Sequence, residues 1–98
     1  MKRTKSMIYK ETTESRELFV YTVNNSRIYP HILANIKRLN KKYNKGIYDS
    51  NKAIDAWYYI ATFASDEYNK DFGYSFSVQD RFSASVNLEE YFKEDIEE

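Results

Sequence analysis

Asp49-Ser50-Asn51-Lys52-Ala53-Ile54-Asp55-Ala56-Trp57-Tyr58-Tyr59-Ile60-Ala61-Thr62-Phe63-Ala64-Ser65-Asp66-Glu67-Tyr68-Asn69-Lys70-Asp71-Phe72-Gly73 is the stretch whose reading decides the fold. Asp49 has the short acceptor side chain that caps a helix N-terminus, and Gly73 is the residue that ends one in the left-handed conformation. Between them Ala53, Trp57, Ile60, Ala61, Ala64 and Tyr68 recur at three- and four-residue spacing, which puts them on one helical face. Ala56, Tyr59 and Phe63 form a second apolar strip. The spacing predicts a central helix over 50–72, touched from two sides. Tyr48, just before the cap, is placed to pack on Ala53 as a hydrophobic staple.

Working outward toward the N-terminus, Ile28, Ile32, Ile36, Leu39 and Tyr43 make another 3.6-periodic stripe. Ser26 reads as its N-cap, Pro30 falls in its first turn, and Lys41, Lys42 and Lys45 precede Gly46 as the stop. Ser15 reads as the cap of a short helix from 16 to about 24. Leu18-Phe19-Val20-Tyr21-Thr22-Val23 is β-branched and aromatic, so a strand is the alternative there. Residues 1–14 lack periodicity and read as a flexible basic lead-in. Toward the C-terminus, Ser77 with Asp80 reads as a capping box, followed by Val78, Phe82, Val86, Leu88, Phe92 and Ile96 on one arc. Asn87 with Glu90 is a second capping signal, which predicts a break near 87. The expected fold is all-α: a small single-domain helical bundle over 15–98, with three main helices and a short first one.

The composition closes off much chemistry. The chain has 98 residues, no cysteine and two glycines, Gly46 and Gly73. That excludes a disulfide framework, a thiolate nucleophile, a P-loop, a dinucleotide fingerprint and a nucleophile elbow. His31 is the only histidine and falls on the polar side of its helix, without an evident orienting partner for general-base work. Asp66, Glu67 and Asp71 read as a solvated face, since their spacing is not that of a calcium loop. No catalysis, no cofactor and no metal are expected. The basic start Met1-Lys2-Arg3-Thr4-Lys5-Ser6 is followed by only three apolar residues, Met7-Ile8-Tyr9, too few for a signal sequence. Ala56 to Ser65, bounded by Asp55 and Asp66, is too short for a membrane span. The chain therefore reads as soluble, and as cytoplasmic in a host cell.

Charge is balanced overall, with 15 Lys+Arg against 15 Asp+Glu, and strongly segregated. Residues 1–46 carry eleven Lys/Arg and three Glu; residues 47–98 carry four Lys/Arg and twelve Asp/Glu. The basic face of the second helix comprises Arg27, Lys37, Arg38, Lys41, Lys42 and Lys45. The acidic counterpart near the C-terminus comprises Glu89, Glu90, Glu94, Asp95, Glu97 and Glu98. Mutual satisfaction within the fold is one reading, since surface ion pairs need no function. Nucleic-acid binding by the basic face is a second. Docking of the acidic face into a basic protein groove, as a mimic of a phosphate backbone, is a third. Head-to-tail contact between copies would use both faces. Tyr48, Tyr58, Tyr59, Tyr68 and Tyr74 read as core edges with their hydroxyls outward, or as interface residues.

Ser15-Arg16-Glu17-Leu18, Asn24-Asn25 before Tyr29, Lys45-Gly46-Ile47-Tyr48-Asp49 with Lys52-Ala53, and Tyr68-Asn69-Lys70-Asp71-Phe72 with Arg81 resemble a group of small phage-encoded proteins. The resemblance, over roughly 15–96, implies a phage or mobile-element origin and supplies no activity and no functional residues. Lys, Asn, Ile and Tyr, with AT-rich codons, supply 36 residues, in keeping with that origin. The functional expectation is an inhibitor that binds a host protein, a nucleic-acid-handling defence enzyme such as a CRISPR effector, through the acidic face. The alternatives are a nucleic-acid-binding accessory protein using the basic helix 27–45, and a structural protein of the phage particle.

Overall fold

Trp57 has no exposed surface, and its indole stacks on the Phe92 ring at 5.1 Å with 16° between planes. The computed structural model describes residues 11–98, and the helices gather around this pair. They are α1 (Thr13–Val23), α2 (Tyr29–Asn44), α3 (Ser50–Phe72), α4 (Val78–Tyr91) and α5 (Lys93–Ile96). No strand occurs among the described residues, so the protein is an all-α bundle. The long α3 packs against α1, α2 and α4, as its two apolar strips require. The core comprises Leu18 of α1, Ile32 and Leu39 of α2, Ala53, Trp57, Ala61 and Ala64 of α3, Ala84 and Leu88 of α4, and Ile96 of α5. Alanine at three of the α3 positions lets neighbouring helices approach closely beside the indole. A smaller cluster of Ile54, Phe82 and Val86, with Tyr58 against it, seals α3 to α4 on the other side.

Both ends of α3 are built as the sequence indicates. Asp49 Oδ1 accepts from the backbone N–H of Asn51 at 2.8 Å and of Lys52 at 3.3 Å. Gly73 takes φ 71°, and its N–H closes the helix on the Asn69 carbonyl at 2.7 Å. The start of α1 differs from expectation. Thr12 is the N-cap and Ser15 its capping-box partner: Thr12 Oγ1 accepts from the Ser15 N–H, and Ser15 Oγ accepts from the Thr12 N–H. Residues 16–23 are thus helix and not strand, because the box nucleates the turn and Leu18 and Thr22, four apart, are buried together. The expected lead-in is shortened, since Thr13 and Glu14 belong to this helix and Thr12 caps it; residues 1–10 lie outside the described range.

Other boundaries shift for local reasons. Ile28, not Ser26, occupies the α2 N-cap position without a side-chain bond; Asn25 organises the entry by accepting from the Arg27 N–H through Oδ1 and from the Ile28 and Tyr29 N–H groups through its carbonyl. Ser77 does cap α4, accepting from the Asp80 N–H at 3.0 Å. The Asp80 carboxylate, however, accepts from the Thr12 hydroxyl at 2.9 Å and thereby joins the starts of α1 and α4. The α4 helix runs unbroken through Asn87 and breaks at Phe92, whose backbone (φ −99°, ψ 9°) leaves the helix where its ring meets Trp57. Wedged between α1 and α3, α4 buries Phe82 through Val86 continuously, including Ser83 and Ser85, while Val78 of the expected stripe is exposed. Two buried hydroxyls are satisfied locally: Ser85 donates to the Phe82 carbonyl and Thr22 to the Leu18 carbonyl. No described helix is long and apolar enough to cross a membrane.

The two kinds of constraint separate experimentally. A Cβ at Gly73 would meet nothing within 4 Å, so Gly73→Ala should cost only the left-handed backbone penalty, about 1–2 kcal/mol. Trp57→Ala should cost about 3–5 kcal/mol through the cavity it leaves. Urea denaturation of both variants tests this, and equal losses would contradict the assignment.

Candidate partner-binding surfaces

The C-terminal acidic residues divide into two groups. Glu90, Glu94, Asp95, Glu97 and Glu98 are exposed and can meet a partner. Glu89 cannot: it is 0% exposed. It lies four residues after Ser85 and three after Val86, both buried, so α4 turns it inward toward the first turn of α3. There Glu89 Oε2 accepts from the Tyr48 hydroxyl at 2.7 Å and from the Ser50 hydroxyl at 3.1 Å. The N-terminal end of a helix favours negative charge, which offsets part of the burial cost. Burial, and next this bond to Glu89, push the Tyr48 hydroxyl well above the ordinary tyrosine range. Glu89 therefore belongs to the interior and leaves the acidic face.

The basic residues divide too. Arg27 precedes α2 and points away from its lysines: Nη2 lies 2.6 Å from Asp71 Oδ2 and donates to the Tyr21 hydroxyl, and Nη1 lies 3.3 Å from Glu67 Oε1. The bond to Asp71 raises the Arg27 guanidinium above its ordinary range. The Asp71 carboxyl is held below its own range, first by the Tyr21 hydroxyl and then by Arg27. A residue tied into an acidic corner of α3 is not part of a phosphate-binding face. Arg38 is exposed and donates to Asn35 Oδ1 at 3.1 Å. Lys37, Lys41, Lys42 and Lys45 are exposed and form no ion pair with a described residue. An open groove of about 650 Å³ runs between α2 and the C-terminal segment, with Leu33 and Lys37 on one side and Asp95 and Glu98 on the other. Asn40 ties the two sides by donating to the Ile96 carbonyl at 2.6 Å. The acidic end therefore sits beside the basic helix. His31 is exposed, with its ring 4.6 Å from that of Phe63. No group of three or more His, Asp or Glu that could hold a metal occurs among the described residues.

A third surface was not singled out by the sequence as one unit. The last turns of α3, the 73–77 loop and α1 bring Tyr21, Tyr68, Phe72, Tyr74 and Phe76 into one aromatic network. Tyr68 is its hub, with ring centroids 5.0 Å from Tyr21, 4.7 Å from Phe72, 6.3 Å from Tyr74 and 4.9 Å from Phe76. Phe76 is buried, whereas Phe72 is 65% exposed, Val20 45% and Tyr74 44%. Carboxylates border the rings. Glu17 accepts the Tyr68 hydroxyl, and Asp71 accepts the Tyr21 hydroxyl at 2.7 Å. The bond to Glu17 raises the Tyr68 hydroxyl above its ordinary range. Glu17, Tyr68 and Phe72 line two adjoining clefts. One, of about 580 Å³, adds Arg16, Val20 and Tyr21; the other, of about 270 Å³, adds Glu14 and Tyr74. The sequence signal was available in pieces, since Tyr68 with Phe72 and Glu17 with Tyr21 are both i,i+4 pairs. Nothing local says that the two pairs meet.

The fold defines a class, a small all-α helical bundle. No family model matches the chain, and no curated protein or solved structure matches it.

The burial of Glu89 has a direct consequence. Glu89→Ala should destabilise by about 2–5 kcal/mol, since it leaves two hydroxyls without their acceptor and opens a cavity. Glu94→Ala, at an exposed position of α5, should stay within about 0.5 kcal/mol of the parent. Denaturant melts decide the matter: equal, small effects would return Glu89 to the surface.

Proposed function

We propose that this protein acts by binding another protein, and that the partner presents a cationic, nucleic-acid-handling surface. The observation that carries this reading is the exposed aromatic network of Phe72 and Tyr74 bordered by Glu14, Glu17 and Asp71. Tyrosine and phenylalanine supply rigid contact area at interface centres, and a carboxylate border selects a basic partner. Exposed Glu90, Glu94, Asp95, Glu97 and Glu98 add long-range attraction that accelerates encounter. The resemblance to small phage-encoded proteins directs the reading further, to an inhibitor without catalytic activity whose target in the host cytoplasm is a defence enzyme such as a CRISPR effector.

One observation favours a second reading. Lys37, Lys41, Lys42 and Lys45 are exposed and unpaired with described residues, an arrangement that can contact phosphates. The nearby Asp95 and Glu98 weaken that attraction, which places nucleic acid second.

Capture from host lysate on the immobilised full chain, read by mass spectrometry, separates the two. The expected result is a nucleic-acid-handling enzyme, lost with Phe72→Ala plus Tyr74→Ala and retained with Lys41→Glu plus Lys42→Glu. Joint reversal of Glu90, Glu94 and Asp95 to Lys should slow association about tenfold at low salt. Recovery of virion components alone would contradict the inhibitor reading. A salt-sensitive mobility shift with DNA or RNA, abolished by the lysine reversals, would establish the second.

A further inference from the structure

The smaller aromatic cleft has a composition that fits one chemical group. Three rings, Tyr68, Phe72 and Tyr74, line it together with two carboxylates, Glu14 and Glu17. No lysine or arginine among the described residues lines it. Arg16, the basic residue of α1, lines the adjoining cleft and not this one, and its Nη1 lies 3.1 Å from Glu11 Oε2. Lys70 of α3 likewise pairs with Glu67 at 3.2 Å. Glu14 has neither a hydrogen bond nor an ion pair with a described residue, and Glu17 uses only Oε2, toward Tyr68. One carboxylate and one further carboxylate oxygen are therefore available beside aromatic faces. Tyr74 feels the local field: partial desolvation first, and then the negative charges of Glu14, Asp80 and Glu17, raise its hydroxyl above the ordinary range.

Aromatic faces attract cations through their quadrupole, and a planar guanidinium can stack on a ring while its N–H fork meets a carboxylate. We propose that the cleft of Glu14, Glu17, Tyr68, Phe72 and Tyr74 is a receptor for a single arginine side chain presented by the partner protein. The proposal rests on the protein-binding reading above and deepens it, by naming the group that the acidic border selects. The adjoining 580 Å³ cleft, which shares Glu17, Tyr68 and Phe72, takes apolar atoms next to that arginine against Val20 and Tyr21. An ammonium fits less well, because it is a compact, strongly hydrated charge without a planar face.

The test is an NMR titration of the full chain with N-acetyl-arginine N-methylamide, with the lysine and norleucine analogues as comparisons. The arginine probe should produce saturable shifts in the ring resonances of Tyr68, Phe72 and Tyr74, with a dissociation constant on the order of millimolar. The lysine analogue should bind about threefold or more weakly, and the norleucine analogue should not saturate. Glu14→Gln, at an exposed position whose side chain bonds to no described residue, keeps the fold and should weaken the arginine probe about threefold to tenfold. Tyr74→Leu should do the same. Absence of saturable shifts, or an affinity in both variants equal to that of the parent chain, overturns the proposal. Because the probe is a small molecule, its result is independent of whether any protein is captured from lysate. A captured partner whose retention is indifferent to Glu14→Gln would also overturn the arginine receptor while leaving the protein-binding reading in place.

Discussion

Burial of Trp57 is the constraint on which the remaining structure depends. An indole needs walls on every side, and no single neighbour of α3 can provide them. Phe92 supplies the stacked face, which requires α4 to end at Tyr91 and the chain to turn into α5. Alanines at 53, 61 and 64 keep α3 thin beside the ring, so α1, α2 and α4 can all approach. Ile96 then closes the core from α5, and Asn40 holds that segment against α2. The same arrangement exposes one end of α3. At 23 residues the helix is about 34 Å long, and the stripe around Trp57 uses its first two-thirds. The final turns are met by α1, the 73–77 loop and Arg27 ahead of α2, so Tyr68 is part-covered and Phe72 is left in solvent.

The polar contacts at that end act through geometry more than through stability. Arg27 to Asp71, Tyr21 to Asp71 and Tyr68 to Glu17 are all solvent-facing, where such bonds contribute little net free energy. They fix ring orientations, however. Tyr21 and Tyr68 meet edge to face at 77°, with each hydroxyl held by a carboxylate. Rings held in this way lose less entropy on docking than free side chains would, which suits the recognition proposed for this surface. Glu89 is the opposite case. It is a carboxylate in the interior, where removal leaves unpaired polar atoms, and its role is to join α4 to the start of α3.

Much of the fold was legible because its signals are local. Asp49 and Gly73 bracket α3, and the Ala53–Trp57–Ala61–Ala64 stripe gives its buried face, all within one helix. Failures arose wherever a residue had two chemically equivalent uses. Thr12 and Ser15 can each cap, and the reciprocal box uses both, so α1 starts earlier than a lone Ser15 implies. Asn87 and Glu90 look like a cap, yet packing between α1 and α3 keeps α4 continuous. Ser83 and Ser85 interrupt the apolar pattern of α4 and are nevertheless buried, with Ser85 returning its hydroxyl to the Phe82 carbonyl and Ser83 accepting from the Gln79 side chain. The site was less legible than the fold. Charge counting placed Glu89 with its exposed neighbours and Arg27 with the lysines, because counting ignores which side of a helix a charge occupies. The aromatic face joins residues near 14–21 with residues near 68–76, and no local pattern announces a contact across that distance.

The central claim is that the α1–α3 end, and not the lysine face of α2, meets the partner. Hydrogen exchange of the chain alone and of the chain bound to the protein it captures tests this most directly, because amide protection reports contact along the whole backbone. The account predicts slowed exchange in peptides spanning 13–23 and 68–76 on binding, with 37–45 unchanged. Slowing confined to 37–45, with no change at the aromatic end, would contradict it.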